Sequence, residues 1–136
     1  MIVIETVKSW FLSILYLCDS WQAWDERGIM KAQCVIVQIP CLNEAGTLRS
    51  TLDSLGAVEN PGGSVQLLLI NDGSTDSTVD VAIAARVDRV VSHTRNRGLA
   101  AAFTTGLDEC LRMGADIIVN TDGDGQYPAS EIPRLL

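Results

Sequence analysis

The stretch "DIIVNTDGDGQYPASE", Asp116 to Glu131, admits two readings that lead to different folds. Asn120, Asp122, Asp124, Gly125 and Glu131 fall on the spacing of an EF-hand calcium loop, with Asn in the opening position. Alternatively, the two aspartates end a buried strand and hold a metal against a substrate's phosphates. An EF-hand needs a helix running into its loop. Here the loop follows "DIIVNT", a β-branched run, and the helical spacing before it has already been stopped by Gly114. Pro128 falls inside the loop and no second EF-hand accompanies it. These residues favour the strand end, with calcium binding as the alternative.

Moving outward, the chain repeats one pattern. "CVIVQIP" (34–40) is a short apolar run closed by Pro40, as expected of a strand buried on both faces. Leu48, Leu52 and Leu55 then recur at helical spacing, and "ENPGG" (59–63) breaks the unit. "VQLLLIN" (65–71) is a second buried strand, followed by the turn "DGST" and a helix through Val79 and Ile83. "RVVS" (89–92) is a third strand. Leu99, Phe103, Leu107, Cys110 and Leu111 mark a longer helix before the fourth strand, "DIIVNT". Four strands alternating with helices predict an α/β fold whose strands pair in parallel through right-handed crossovers.

Composition narrows the functions. The chain has 136 residues, enough for one domain, and 47% are hydrophobic. A formal net charge of -7 argues against nucleic-acid binding, since no surplus of Lys or Arg exists to neutralise phosphates. A phosphorylated ligand is still accessible to an acidic protein if a divalent cation lies between them. Cys18, Cys34, Cys41 and Cys110 are scattered and only one histidine, His93, is present, which argues against zinc. Cys34 and Cys110 lie in apolar runs and read as reduced core residues, which suits a cytoplasmic protein. At the N-terminus, "WFLSILYLC" is too short to span a bilayer. Trp10, Ile14, Leu17, Trp21 and Trp24 predict an amphipathic helix over about 5–24. Asp19, Asp25 and Glu26 among its polar positions suit packing on the domain better than lying on a membrane.

Polar clusters stand at the carboxyl ends of all four predicted strands: "PCLNE" (40–44), "NDGSTD" (71–76), "HTRNRG" (93–98) and "NTDGDG" (120–125). Singly, each has an ordinary explanation. Asn43 suits a helix cap, "NDGS" a turn, and "NRG" a helix entry with Gly98 in an unusual backbone conformation. In one parallel sheet, however, all four converge on the edge where such sheets bind ligands.

The segments "IPCLNEAGTL", "LLINDGSTDST", "RNRGLAAAFTTGL" and "ADIIVNTDGDGQYPASEIPRLL" resemble, in order, the family-2 glycosyltransferases. The branch they look most like is the polyprenyl-phosphate sugar synthases of the dolichyl-phosphate mannose or glucose type. The resemblance runs from about Met30 to Leu136, dividing the chain into an N-terminal helical extension (1–29) and a nucleotide-sugar-binding domain (30–136). It implies the parallel-sheet, Rossmann-like nucleotide-binding half of a GT-A-type fold, a nucleotide-sugar donor, and Mg2+ or Mn2+. Carried over, it places the nucleotide against Pro40, Leu42 and Glu44, with Leu69, Asn71 and Asp72 near the base. Asp122, Gly123 and Asp124 match the family's D-x-D, which implies that both aspartates are catalytic and hold the metal together with Gln126.

Three departures shape the expectation. Leu42 replaces an aromatic residue that stacks on the nucleotide. Asn71 replaces the first acid of the usual D-D-G-S. An amide matches the imide edge of uracil better than the paired donors of guanine, which favours UDP-sugars over GDP-mannose. Finally, family members continue beyond the position of Leu136 with an acceptor-binding half and a general base. The chain is therefore expected to bind donor, to lack acceptor machinery, and to meet a partner chain or itself at the exposed sheet edge. A non-catalytic nucleotide-binding module is the competing reading. Transfer to a lipid phosphate on the cytoplasmic membrane face is the function the resemblance implies.

Overall fold

The computed structural model describes residues 2–5, 33–60, 63–125 and 129–134. Its elements are β1 (Ile2–Glu5), β2 (Cys34–Cys41), α1 (Leu48–Leu55), β3 (Ser64–Asn71), α2 (Thr78–Ala84), β4 (Arg89–Ser92), α3 (Leu99–Met113) and β5 (Ile117–Asn120), followed by a 3-10 helix, Ala129–Arg134. The strands form one five-stranded sheet in the order β1-β5-β2-β3-β4. The four predicted strands pair in parallel, as expected.

The apolar runs are explained by the layers on either side of them. Alternate residues of β2 (Val35, Val37, Ile39, Cys41) pack with Leu48, Leu52 and Leu55 of α1, Ala82 of α2 and Ile132 of the 3-10 helix. The intervening face, through Ile36, Leu68, Ile70 and Ile118, packs on Ala102 and Cys110 of α3. A strand buried on both faces has no polar face to alternate with, and so reads as continuous hydrophobic sequence. The sheet is thus wound on both sides, and its order reverses between β2 and β5.

Three details differ from expectation. Ile2–Glu5 adds an antiparallel edge strand, with Ile2 opposite Asn120 and Glu5 opposite Ile117. Hence the sheet draws on residues ahead of the unit read as starting at Met30. The tryptophan helix predicted over 5–24 falls largely on residues outside those described. On α2 the buried residues are Thr78 and Ala82, while Ile83 is exposed. On α3 the buried face is Ala102, Gly106, Glu109 and Cys110, and Leu99 and Leu111 face solvent. The large side chains marked the helix correctly but not its inward face, because α3 approaches the sheet on small residues.

The reason for that close approach is Gln38, fully buried in the middle of β2. Its Nε2 donates to Asn120 Oδ1 at 2.9 Å, which satisfies the amide across the β2–β5 pair. Gly106 leaves the room its Oε1 needs, since a Cβ there would collide with the Gln38 amide and lie 2.9 Å from Ile70 Cδ1. The helix ends where the sequence indicates, with Gly114 left-handed at φ 85°. Among the described residues no helix is long and apolar enough to cross a membrane.

Gly106→Ala tests this packing. Helix propensity alone would stabilise the chain by about 1 kcal/mol. Overpacking in a filled core costs roughly 1–3 kcal/mol, and the displaced Gln38 amide adds a lost hydrogen bond of about 1 kcal/mol. We expect a net loss of about 1–3 kcal/mol in urea unfolding, against little change for Gly46→Ala, where nothing lies within 4 Å of the new methyl. A neutral or stabilised Gly106→Ala would contradict the account.

Candidate functional site

The reversal of strand order creates a crevice at the carboxyl edge. Backbone pairing of β2 with β5 ends at Gln38 and Asn120, whereas pairing with β3 continues to Cys41 and Asn71. Thr121 N–H donates to Gln38 O and Asp72 N–H to Cys41 O, so even-numbered residues of β2 turn their backbone polar groups to β5 and odd ones to β3. Pro40 is even-numbered. Its missing N–H falls on the side where β5 has already turned away, which is why a central strand tolerates it. Beyond this point pairing stops and the β5 loop lies against the end of β2, with Gly123 beside Cys41 and Glu44, at the switch point where open α/β sheets take their ligands.

The β5 loop carries the two aspartates. A strand, not a helix, runs into it, and this overturns the EF-hand alternative. Thr51 Oγ1 of α1 donates to Gly123 O at 3.0 Å and ties the loop down. A Cβ on Gly123 would collide with the Glu44 carboxylate and lie 2.6 Å from Cys41 Sγ, so only glycine fits between the two aspartates. Asp122 is half-buried and Asp124 exposed. Glu44 is their neighbour from the β2 loop. Burial, and then the charge of Asp124 and Asp122, raise its pKa above the ordinary carboxylate range. Among the described residues its Oε2 is buried without a hydrogen-bond partner, and the Cys41 thiol beside the carboxyl works to lower the pKa without cancelling the rise. Burial and the adjacent Glu44 likewise push the Cys41 thiol up, so it is a proton-bearing neighbour rather than a nucleophile.

The β2 and β3 loops are laced together. Asn43, left-handed at φ 56°, donates its N–H to Ser74 Oγ (2.9 Å) and accepts the Thr75 N–H on Oδ1 (2.8 Å). Glu44 N–H donates to Thr78 Oγ1 and Ala45 N–H to Asp76 Oδ2. Asn43 therefore joins loops instead of capping α1, whose N-cap is Thr47. The Thr78 hydroxyl, outweighing a smaller effect of burial, and the N–H groups of Thr78 and Ala45 hold the Asp76 carboxyl below its ordinary range.

The β3 and β4 loops meet at Asp72. Its carboxylate accepts from the Arg97 N–H (2.9 Å), the Gly98 N–H (2.8 Å) and His93 Nδ1 (2.6 Å). Burial works to raise its pKa, but these hydrogen bonds outweigh it and the net shift is downward. Gly73, at φ 79°, lies directly under the next loop, where a Cβ would meet Arg95 C at 2.5 Å and Asn96 N at 2.6 Å. Gly98 has φ 89°, the unusual conformation expected at the entry to α3.

Of the residues singled out in the sequence, Leu42, Glu44, Asp122, Gly123 and Asp124 come together around the crevice. Gln126 lies outside the described residues. Pro40 is buried in the strand end. Leu69 is 0% exposed within the α1/α2 core, so its side chain is closed off from any base. Asn71 is 5% exposed and doubly engaged, accepting the Ser74 N–H on Oδ1 and donating from Nδ2 to Ser92 Oγ. Asp72 spends its carboxylate on internal donors and shapes the site from behind. The sequence reading missed Cys41, Thr51, Thr105 and the role of His93, of which only the lone histidine carried a signal. Among the described residues no three carboxylate, imidazole or thiol groups are gathered to hold a metal by themselves. The oxygen donors of Asp122 and Asp124, beside an orphaned Glu44 oxygen, fit a hard cation that takes its other ligands from a substrate.

Comparison with known proteins agrees with this geometry. The model of the family described as Glycosyl transferase family 2 matches residues 36–136. The polyprenol monophosphomannose synthase of Mycolicibacterium smegmatis is 36% identical over 117 residues, covering 82% of this chain and 43% of that protein. The undecaprenyl-phosphate 4-deoxy-4-formamido-L-arabinose transferase of Salmonella paratyphi A is 34% identical over 108 residues, covering 75% and 32%. Among solved structures, glucosyl-3-phosphoglycerate synthase from Mycobacterium tuberculosis in complex with UDP superposes with a TM-score of 0.60 at 28% identity, covering 74% of this chain and 38% of that one. The same enzyme is also known with Mn2+ and UDP. The chain thus spans less than half the length of each of these proteins.

Glu44 gives a pH signature. A carboxyl whose folded-state pKa is raised keeps a proton that the unfolded chain has already released, so stability falls as pH rises from the ordinary carboxylate pKa through the raised value. Glutamine has no such penalty. In the metal-free chain, Glu44→Gln is expected to be more stable than the parent at about pH 7 and equal to it near pH 4, where both side chains are neutral. Urea midpoints at the two pH values check this, and a difference independent of pH would refute it.

Proposed function

The chain belongs to glycosyl transferase family 2, and from that premise we propose that its GT-A-type sheet is the donor-binding half of an enzyme that passes a sugar from a nucleotide to a polyprenyl phosphate. The observation that carries the reading is the crevice between β2 and β5, where Glu44 Oε2 lies buried and unpaired beside Asp122 and Asp124. Three carboxyl groups repel a diphosphate unless positive charge intervenes. Asp122 and Asp124 would hold Mg2+ or Mn2+, with Gln126 the family's third ligand and phosphate oxygens completing the set. A cation held there supplies the countercharge that a diphosphate leaving group needs as the bond to the sugar breaks. Gly123 lets the loop lie flat on Glu44 and Cys41, and Thr51 fixes it, so both aspartates are positioned before ligand arrives. Leu42, 38% exposed at the crevice, offers an apolar surface for the nucleotide.

For the base, we favour uracil. Asn71 retains one N–H and one lone pair after its bonds to Ser92 and Ser74, the complement of an imide edge. A solved neighbour at 28% identity, glucosyl-3-phosphoglycerate synthase, is a UDP complex. The relatives' names support a lipid-phosphate acceptor, and peripheral attachment at the cytoplasmic face of a membrane follows from that substrate. Transfer of radiolabelled sugar to polyprenyl phosphate reads the acceptor class directly.

Two outcomes are expected for donor binding. Calorimetry should show UDP binding with Mn2+ that is lost in EDTA, and Asp124→Asn should weaken it by about tenfold, the scale of one charge-assisted contact, without lowering the melting temperature. Equal affinity in EDTA would remove the cation from the site. Separately, Asn71→Asp should move preference from UDP towards GDP by about 1 kcal/mol, one net hydrogen bond. An unchanged ratio of the two affinities would show that Asn71 does not read the base.

A further inference from the structure

We infer that His93 is a positioning residue of the donor site, acting through Asp72 to fix the Thr94–Gly98 loop that brings Arg95 and Arg97 to the nucleotide's diphosphate. The inference rests on the donor-binding reading above. His93 and Asp72 are each 6% exposed at the side chain, so their contact is shielded from water. The Asp72 carboxylate can only accept, which assigns the proton to His93 Nδ1. Nε2 then faces Thr105 Oγ1 of α3 at 2.9 Å, within hydrogen-bond distance of its hydroxyl. The imidazole therefore bridges the end of β3 to α3, while its own backbone N–H donates to Asn71 O at 2.8 Å.

What this clip holds is the backbone of one loop. Asp72 receives the Arg97 and Gly98 N–H groups on its two oxygens, and Arg95 and Asn96 lie against Gly73. Both arginines are exposed, and neither guanidinium forms an ion pair among the described residues, whereas Arg49, Arg89 and Arg112 each pair with a carboxylate. Arg86 also has no ion pair among the described residues but lies after α2, whereas Arg95 and Arg97 share one braced loop at the carboxyl edge and supply positive charge where the aspartates supply none. A guanidinium meets phosphate oxygens through a planar pair of donors, so its value depends on where the backbone holds it. Loss of the His93 donor leaves a buried carboxylate short of one partner and frees the loop to move.

The test combines amide exchange by NMR in the ligand-free chain with calorimetry for UDP and for uridine in Mn2+. In His93→Phe the Arg97 and Gly98 amides should exchange faster while those of Val35–Ile39 stay protected. UDP affinity should fall about tenfold, and uridine affinity should hold within about twofold. His93→Asn, which keeps a donor at the Nδ1 position, should recover most of the UDP affinity. Should His93→Phe fail to fold, Thr105→Val releases only the Nε2 side and carries the same comparison. Faster amide exchange with unchanged UDP affinity would overturn the inference by placing the loop outside the donor site. Parallel loss of UDP and uridine would reduce His93 to a support of the fold. A parent chain that binds no UDP would overturn the donor reading and this inference together, and the amide data would still report whether the clip exists.

Discussion

Hydrogen bonding along β2 is lopsided: on the β3 side it runs to the strand's end, and on the β5 side it stops at Gln38. Pro40 makes the asymmetry permanent, because a residue without an N–H cannot extend the ladder towards β5. The loops after β2 and β5 are thereby released from pairing beside each other, with Gly123 against Cys41 and Glu44, and the candidate site lies at this gap in the ladder. Everything chemical in the molecule is arranged around that gap. The helices cover the sheet faces and leave the carboxyl edge to the loops alone.

The same arrangement explains how an acidic chain tolerates an acidic crevice. Its remaining edge carboxylates are not left to repel one another. Asp76 is satisfied by backbone N–H groups, and Asp72 by two of them and an imidazole. Those charges act as staples between adjacent loops. Glu44 is different: it is half-buried, its Oε2 has no hydrogen-bond partner among the described residues, and burial and then the charge of Asp124 and Asp122 raise its pKa.

How much of this could be read from the letters depends on the length scale of the signal. Strands β2, β5 and the second half of β3 announced themselves because burial on both faces turns them into apolar runs, and the glycines and prolines marked their ends. The inward faces of α2 and α3 did not, because close packing selected Ala82, Ala102 and Gly106, residues that periodicity analysis passes over. β1 is a four-residue strand with no pattern of its own, paired to β5 only through the fold. At the site, the D-x-D loop and Glu44 were legible by resemblance. Leu69 and Asp72 were assigned to the ligand because motif adjacency does not reveal which way a side chain turns. The His93–Asp72–Thr105 contact joins residues 72, 93 and 105, and no local window contains it.

Thr105 and Gly106 are neighbours on α3, yet they serve opposite sides of the crevice. Thr105 meets His93 and so reaches the loop that carries the arginines. Gly106 admits the Gln38 amide, which grips Asn120 at the root of the aspartate loop. One helical turn is therefore a common datum for the two halves of the site. The loop that carries the arginines and the loop that carries the aspartates are thus both referred to adjacent residues of one helix beneath the sheet.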